Sequence, residues 1–272
     1  MNKQEIIKQY SKAEDKILIA KILDKIQFTS QKNQIQTTEF LDGYEQKIAQ
    51  QILQKANHKT AVFYGGYEQA ERKILYFFPE KLADFMEGEL QSNKVIQKEM
   101  KVIAIHLPNE LKGQYQHRDY LSGLMKLGIK REKIGDILVR ENGADILVQS
   151  DILSYLLTNV PQLTRFQKAE IFSKEISELE VVQVRLQKMV ILIPQLRIDA
   201  VISELLHVSR TKANEIIAQE RVIVNYEVKT KNASMLQAGD LLTVRGKGKF
   251  KIGEVMSQTS KGKLRVEVEK YV

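Results

Sequence analysis

Cysteine and tryptophan are absent from this chain of 272 residues, and proline occurs only four times. Without a thiol there is neither a disulfide nor a thiolate metal site, so a small stapled domain is excluded. Long hydrophobic runs are missing too. The most apolar stretch, Met189 to Pro194, falls far short of the roughly eighteen residues that a membrane-spanning helix needs. The chain also starts without a hydrophobic signal segment, so a cytoplasmic protein with no membrane partner is expected. Motifs that mark catalysis are scarce. There is no G-x-G-x-x-G loop, no P-loop and no His-rich metal motif, and Gly65-Gly66 lacks the rest of a phosphate cradle. Neither a cofactor nor a metal is expected.

What remains is the composition of a folded protein, with 43% hydrophobic and 28% charged residues. The length suits two or three domains, each burying its own core. The net charge of +8 is unevenly placed. From Val181 onward 16 Lys/Arg face 9 Asp/Glu, whereas residues 1–180 carry 26 against 25. The excess of cations therefore belongs to the last third, as expected if one module meets a polyanion and the rest does something else.

The hydrophobic pattern predicts an α+β fold in three parts. In the first, residues 1–95, helical intervals run from Ile6 to Ile26, and Thr37-Thr38-Glu39 is expected to open a second helix, Phe40 to Ala56. Two apolar runs, Ala61 to Tyr64 and Ile74 to Phe78, read as a strand pair. In the second part, residues 96–180, a strand (Lys101 to Leu107), a helix (His117 to Leu127), strands near Asp136 to Arg140 and Ala144 to Gln149, and a helix (Asp151 to Asn159) follow in order. Glu141-Asn142-Gly143 is a hairpin signal, because Asn-Gly tolerates positive φ. One more strand, around Lys168 to Ile176 or Val182 to Ile193, would complete a ferredoxin-like, split βαβ unit. Many RNA-recognition domains share that topology, but the stacking aromatics of their central strands are missing from Val102-Ile103-Ala104-Ile105 and Asp136-Ile137-Leu138-Val139.

The third part, residues 181–272, carries the function. Ile198, Val201, Ile202, Leu205 and Leu206 mark one buried helix face, and Ser209 is the expected N-cap of a second helix. Arg210 and Lys212 then stand in its first turn, where the helix dipole disfavours cations, so an anionic ligand is expected to compensate them. Val222, Val224 and Val228, and later Leu241 and Thr243, suggest short antiparallel strands. The run Arg245-Gly-Lys247-Gly-Lys249-Phe250-Lys251 puts four cations on a segment expected to be loose enough to follow RNA phosphates, with Phe250 available for stacking. A solvated edge hairpin explains the same run equally well.

Four blocks in order, Arg197-Ile-Asp-Ala, Ser209-Arg-Thr-Lys-Ala, Val222-Ile-Val-Asn225 and Gly239-Asp-Leu-Leu, resemble the RNA-binding module named after ribosomal protein S-four. Two positions depart from its usual pattern. Glu220 and Tyr226 stand where that module often has glycine, which implies tighter turns there. The whole chain resembles the YlmH family of cell-division-associated RNA-binding proteins, most clearly from His117 to Asp136 and in Arg245-Gly-Lys-Gly-Lys-Phe250. The resemblance implies a non-catalytic protein that binds rRNA and tRNA on the large ribosomal subunit, with a part in ribosome quality control on stalled, peptidyl-tRNA-bearing subunits. It brings Arg197 into an RNA-binding set with Ser209, Arg210, Lys212, Asn225, Arg245, Lys247, Lys249 and Lys251. DNA is not an expected partner, and the N-terminal helices could serve a protein partner.

The competing reading is an RNA-modifying enzyme, of pseudouridine synthase or methyltransferase type, that uses the C-terminal module for docking. His106, His117, Asp119 and Asp136 could then form an acid–base pair. Helix capping and core hydrogen bonds account for His117 and Asp119 more simply, and no catalytic residue is assigned. His58 and His207 have no partners at ligand spacing.

Overall fold

The computed structural model describes residues 3–85, 94–181 and 186–271. The fold is α+β, and the chain divides into two compact units, Met1–Val182 and Gln183–Val272.

The first unit opens with α1 (Lys3–Lys8) and α2 (Ala13–Lys32), the latter ended by Asn33 in the left-handed region with its N–H bonded to the Thr29 carbonyl. The expected helix start at Thr37-Thr38-Glu39 is wrong. These residues lie in strand β1 (Gln36–Leu41), and helix α3 (Gly43–Lys55) begins only after Asp42. The reason is local. Thr38 and Phe40 alternate toward the interior, as suits a β-branched, period-two segment, whereas Asp42 and Glu45 form a complete capping box. Strands β2 (Ala61–Tyr64) and β3 (Lys73–Phe77) join β1 in an antiparallel sheet of order β1-β3-β2. The helices pack on one face of this sheet through Ile19, Ile22, Ile48, Ile52, Leu75 and Phe77.

Helix α4 (Lys94–Glu99) leads into β4 (Met100–His106), α5 (His117–Lys126), β5 (Ile134–Arg140), β6 (Gly143–Gln149), α6 (Leu153–Asn159) and β7 (Glu170–Lys174). The strands form an antiparallel sheet of order β5-β6-β4-β7, the split βαβ topology. The last strand is therefore the one near Lys168 to Ile176; of the Val182 to Ile193 alternative, residues 182–185 lie outside the described residues, and the rest is a strand of the second unit. Gly143 is required by close approach. A Cβ there would lie 1.9 Å from the Ile105 carbonyl oxygen of the neighbouring strand, so the glycine of Asn142-Gly143 serves strand packing.

One face of this sheet is covered by helices and the other in part by the first sheet. Helices α5 and α6 seal one through Ile103, Ile105, Tyr120, Leu124, Ile146 and Leu156. The first sheet seals part of the other, with Phe40, Ile74, Tyr76 and Phe78 packed on Met100, Val102 and Leu147. All seven residues of β6 are buried. That explains the apolar sequence of the central strands: an RNA-stacking face is unavailable where another sheet already sits.

The second unit begins with β8 (Leu186–Ile193), followed by α7 (Ile198–Leu205), α8 (Arg210–Ala218), β9 (Val222–Val224), β10 (Glu227–Val228), β11 (Leu241–Val244), β12 (Gly248–Gln258) and β13 (Leu264–Tyr271). Its six strands run in the order β10-β9-β11-β12-β13-β8. One sheet face packs on the two helices through Ile191, Val222, Leu242, Phe250, Val266 and Val268 against Ile198, Val201, Ile202 and Ile216. Two-residue turn chemistry joins β9 to β10, with Asn225 and Tyr226 at φ 48° and 69°. That is the double left-handed pattern of a tight hairpin, built without glycine.

Candidate RNA-binding site

The expected cation set gathers around two local devices in the second unit. The first lies at the helix starts. Arg197 is the N-cap of α7, and Asp199 in that helix's first turn is only 2% exposed. The carboxylate of Asp199 accepts from Arg197 Nε at 3.2 Å and Nη2 at 2.9 Å, from the Ala200 backbone N–H at 2.8 Å, and from Arg210 Nη2. Burial pushes the Asp199 carboxyl upward, but the hydrogen bonds from Arg197 and Arg210 overcome it and hold the group below the usual carboxylate range.

Asp199 corrects the electrostatic reading of α8. Ser209 does cap that helix, accepting from the Lys212 N–H at 3.2 Å. The cations of its first turn do not wait for an external anion, however. Arg210 is compensated by Asp199, and Lys212 by Glu215 at 2.6 Å. The helix dipole cost is met inside the protein. Both guanidinium groups stay partly open, at 35% exposure for Arg197 and 48% for Arg210, so each has donors left to face solvent.

The second device is the β11–β12 hairpin. Val244 pairs with Gly248, and the three residues between them, Arg245, Gly246 and Lys247, are exposed. Gly246 takes φ 75°. Arg221, which sequence reading passed over, donates from Nη2 to the Arg245 carbonyl at 2.7 Å, while the Arg245 N–H donates to the Arg221 carbonyl at 2.9 Å. Three cations thus share one turn. The segment is not loose, because Leu241 to Val244 pairs in register with Gly248 to Lys251. Nor is Phe250 available for stacking. It is 2% exposed, since strand alternation sends Phe250 and Ile252 into the core and Lys249 and Lys251 to the other face. Lys249 lies 5.0 Å from the centre of the Tyr271 ring, and Lys251 is exposed.

Asn225 takes a structural role. Its amide donates to Asp240 at 2.7 Å and accepts from the Leu241 N–H at 2.9 Å, tying the β9–β10 turn to the start of β11. The glycine-like positions keep glycine-like geometry, Glu220 at φ 56° and Tyr226 at φ 69°. Asp199 could have been found from sequence as the acid two residues after Arg197, in the first turn of its helix. Arg221 offered only its place directly after a helix end.

In the first unit, the two carboxylates that could suggest acid–base chemistry are occupied by structural bonds. Asp119 completes a capping box, accepting from the Gln116 N–H at 2.9 Å. Asp136 accepts from Tyr67 Oη at 2.8 Å and from the Glu71 and Arg72 N–H groups at 2.7 and 3.0 Å. Burial, and then the nearby Arg131, lower the pKa of His117. Among the described residues no group of three or more His, Asp or Glu is placed to hold a metal ion, and no helix is long and apolar enough to cross a membrane.

Three family descriptions match in order along the chain: "YlmH, N-terminal" over residues 14–82, "Putative RNA-binding domain in YlmH" over residues 96–190, and "S4 domain" over residues 196–242. A curated relative, Ribosome-associated protein quality control protein P2 of Bacillus subtilis (strain 168), is 29% identical over 267 residues, which is 97% of this chain and 98% of the relative. A solved structure described as cell division protein ylmH from Streptococcus pneumoniae is similar with a TM-score of 0.48 and 16% identity, covering 64% of this chain and 98% of its own. With both YlmH-specific domains and the S4 domain in sequence, the chain belongs to the YlmH family.

Proposed function

We propose that this protein binds structured RNA through its second unit, acting in the cytoplasm on rRNA and tRNA of the large ribosomal subunit, and that it works there without catalysis. The observation that carries the reading is the pair of guanidinium groups, Arg197 and Arg210, fanned from one buried carboxylate at the starts of α7 and α8. Two cations held by one anion leave a surplus positive charge. Their unused donors suit phosphate oxygens in a fixed geometry. Arg221, Arg245 and Lys247 supply a second cationic point on the same unit. The relative whose name places it with the ribosome and with quality control spans nearly the whole chain, which supports the same setting here. Service on stalled subunits that carry peptidyl-tRNA is part of the proposal, and the quality-control name of that relative is in keeping with it.

Crosslinking in cells followed by sequencing of the bound RNA tests the proposal. Ribosomal RNA and tRNA should dominate, and the crosslinks should fall when Arg197 and Arg210 are replaced. Recovery of messenger RNA alone would overturn the ribosomal part of the reading. Mass-spectrometric detection of a base modification that depends on this protein would overturn the non-catalytic part.

A further inference from the structure

The first unit contains a second cationic cluster, on the end of the β5-β6-β4-β7 sheet that the N-terminal sheet leaves uncovered. By register, Ala104 lies between Phe172 and Asp145, His106 between Glu170 and Gly143, and Arg140 opposite Gly143. Two small residues of the face, Ala104 and Gly143, therefore sit amid Arg140, His106, Phe172 and Lys174. Asp145, completely buried, accepts from Arg140 Nη2 at 2.7 Å and from Lys174 Nζ at 3.4 Å. His106 and Phe172 meet edge to face at 4.9 Å.

The charge balance of this cluster is unusual. Arg140 and Lys174 are 8% and 11% exposed, yet they share one buried acid. The second carboxylate they touch is that of Glu180, which reaches Arg140 Nη1 at 2.8 Å and Lys174 Nζ at 3.8 Å and is itself 69% exposed. Arg140 Nε is buried without a hydrogen-bond partner, as is His106 Nε2. Glu180 arrives there because the chain after β7 folds back over the sheet. A 3-10 turn (Ile176–Glu178) with its own capping box buries Ile176, and Leu179 packs against the same apolar cluster. A buried pair of cations thus has as its last counter-ion a solvated side chain on a strap, the cheapest member of the network to displace.

We infer that Arg140 and Lys174, held by Asp145, form a phosphate-binding site for a single-stranded RNA segment, and that the chain's own Glu180 occupies this site until RNA displaces it. The inference rests on RNA being the partner, as proposed above, and adds a second point of contact with a built-in competitor. A phosphate offers more acceptor oxygens than a carboxylate and can engage Nη1 of Arg140 and Nζ of Lys174 together. The His106 and Phe172 rings on the same face favour a nucleotide over an acidic peptide, because a base has a flat surface to lay against them. The hydrogen bond from Arg140 lowers the pKa of Glu180 while it occupies the site.

The test uses the full-length chain and inorganic phosphate, followed through the side-chain N–H resonance of Arg140. Glu180→Gln removes the competitor at an exposed position, and it should lower the phosphate concentration needed for half-saturation by about tenfold relative to the parent, as expected when one charge-assisted hydrogen bond no longer competes. Lys174→Gln in the Glu180→Gln background should reverse most of that gain. A short single-stranded oligoribonucleotide should displace the phosphate, and a polyglutamate peptide should not. No saturable shift in the Glu180→Gln protein, whose folding a thermal melt would confirm, overturns the inference, as does displacement by polyglutamate alone. Failure of the proposed function reads differently: the oligoribonucleotide would then bind neither at Arg140 nor in a manner sensitive to Arg245→Ala and Lys247→Ala.

Discussion

Each of the two units builds a device from one buried aspartate and two cations, and the difference between them lies in where the cations are. In the first unit Asp145 holds Arg140 and Lys174 almost wholly inside, and the sheet carrying them has the topology of many RNA-recognition domains. In the second unit Asp199 holds Arg197 and Arg210 at the surface of a module with no such sheet plan. Topology and accessible charge have separated within one chain. The part with the RNA-recognition topology has buried much of the relevant face against another sheet, whereas the module next to it presents its cations to solvent. A fold is a weak guide to function, and the side chains at a site are a better one.

The largest effect that would sharpen this contrast is expected at Asp145. Asp145→Ala leaves two buried cations without their common acid and should cost about 3–5 kcal/mol, the range for breaking a buried ion pair on one side. Urea titration of the full chain, followed by a probe in the first unit, would read it. A loss below about 1 kcal/mol would place the cluster in the class of solvated surface pairs and erase the distinction.

Next in size is Arg210→Glu, which sets a carboxylate beside buried Asp199. A loss of about 1–3 kcal/mol in the second unit is expected, together with weaker RNA binding. The helix dipole alone predicts the opposite, no loss or a slight gain. A melt in which the second unit keeps or gains stability would show that Asp199 does not need Arg210. The same device gives a pH dependence. Because the folded-state pKa of Asp199 lies below its unfolded value, its contribution is present above the unfolded pKa and is lost as pH falls through the folded one. The stability of the second unit should therefore decline on acidification below the ordinary carboxylate range, and Asp199→Asn should remove that part of the slope.

Arg245→Ala with Lys247→Ala tests the hairpin by itself. Both side chains are exposed, so stability should stay within about 0.5 kcal/mol. The slope of log affinity for RNA against log salt should fall by about 2, one for each phosphate left without its cation. An unchanged slope in a filter-binding series would leave these residues as edge charges that deter aggregation. The smallest effect is expected at Glu220→Gly, which relieves a left-handed residue at φ 56° and should stabilise the second unit by about 0.5–1 kcal/mol. A loss of stability would mean that the Glu220 side chain has a packing role.

Much of this protein was legible from its sequence because the relevant signals are local. Helix periodicity located α7 and α8, and Ser209 caps α8 as its residue type suggests. The strand order of the split βαβ unit followed from element order and the Asn142-Gly143 turn. Misreadings arose where two local signals competed. Thr37-Thr38-Glu39 looks like a helix start, yet Asp42 with Glu45 makes the better cap, and β-branched Thr38 goes to a strand.

What the sequence by itself determined, then, is the sign and location of the excess charge, most of the element types, and the four motif blocks that identify the C-terminal module, all of which depend on residues near one another in the chain. What only the tertiary structure decided is which of those residues are free to act. Phe250 is withdrawn by strand alternation, Asn225 is spent on the turn to Asp240, and Arg210 is answered by Asp199 eleven residues earlier in the chain. Burial and pairing are properties of the packed whole, since a side chain's neighbours across a sheet or between helices are set by register and packing rather than by position in sequence.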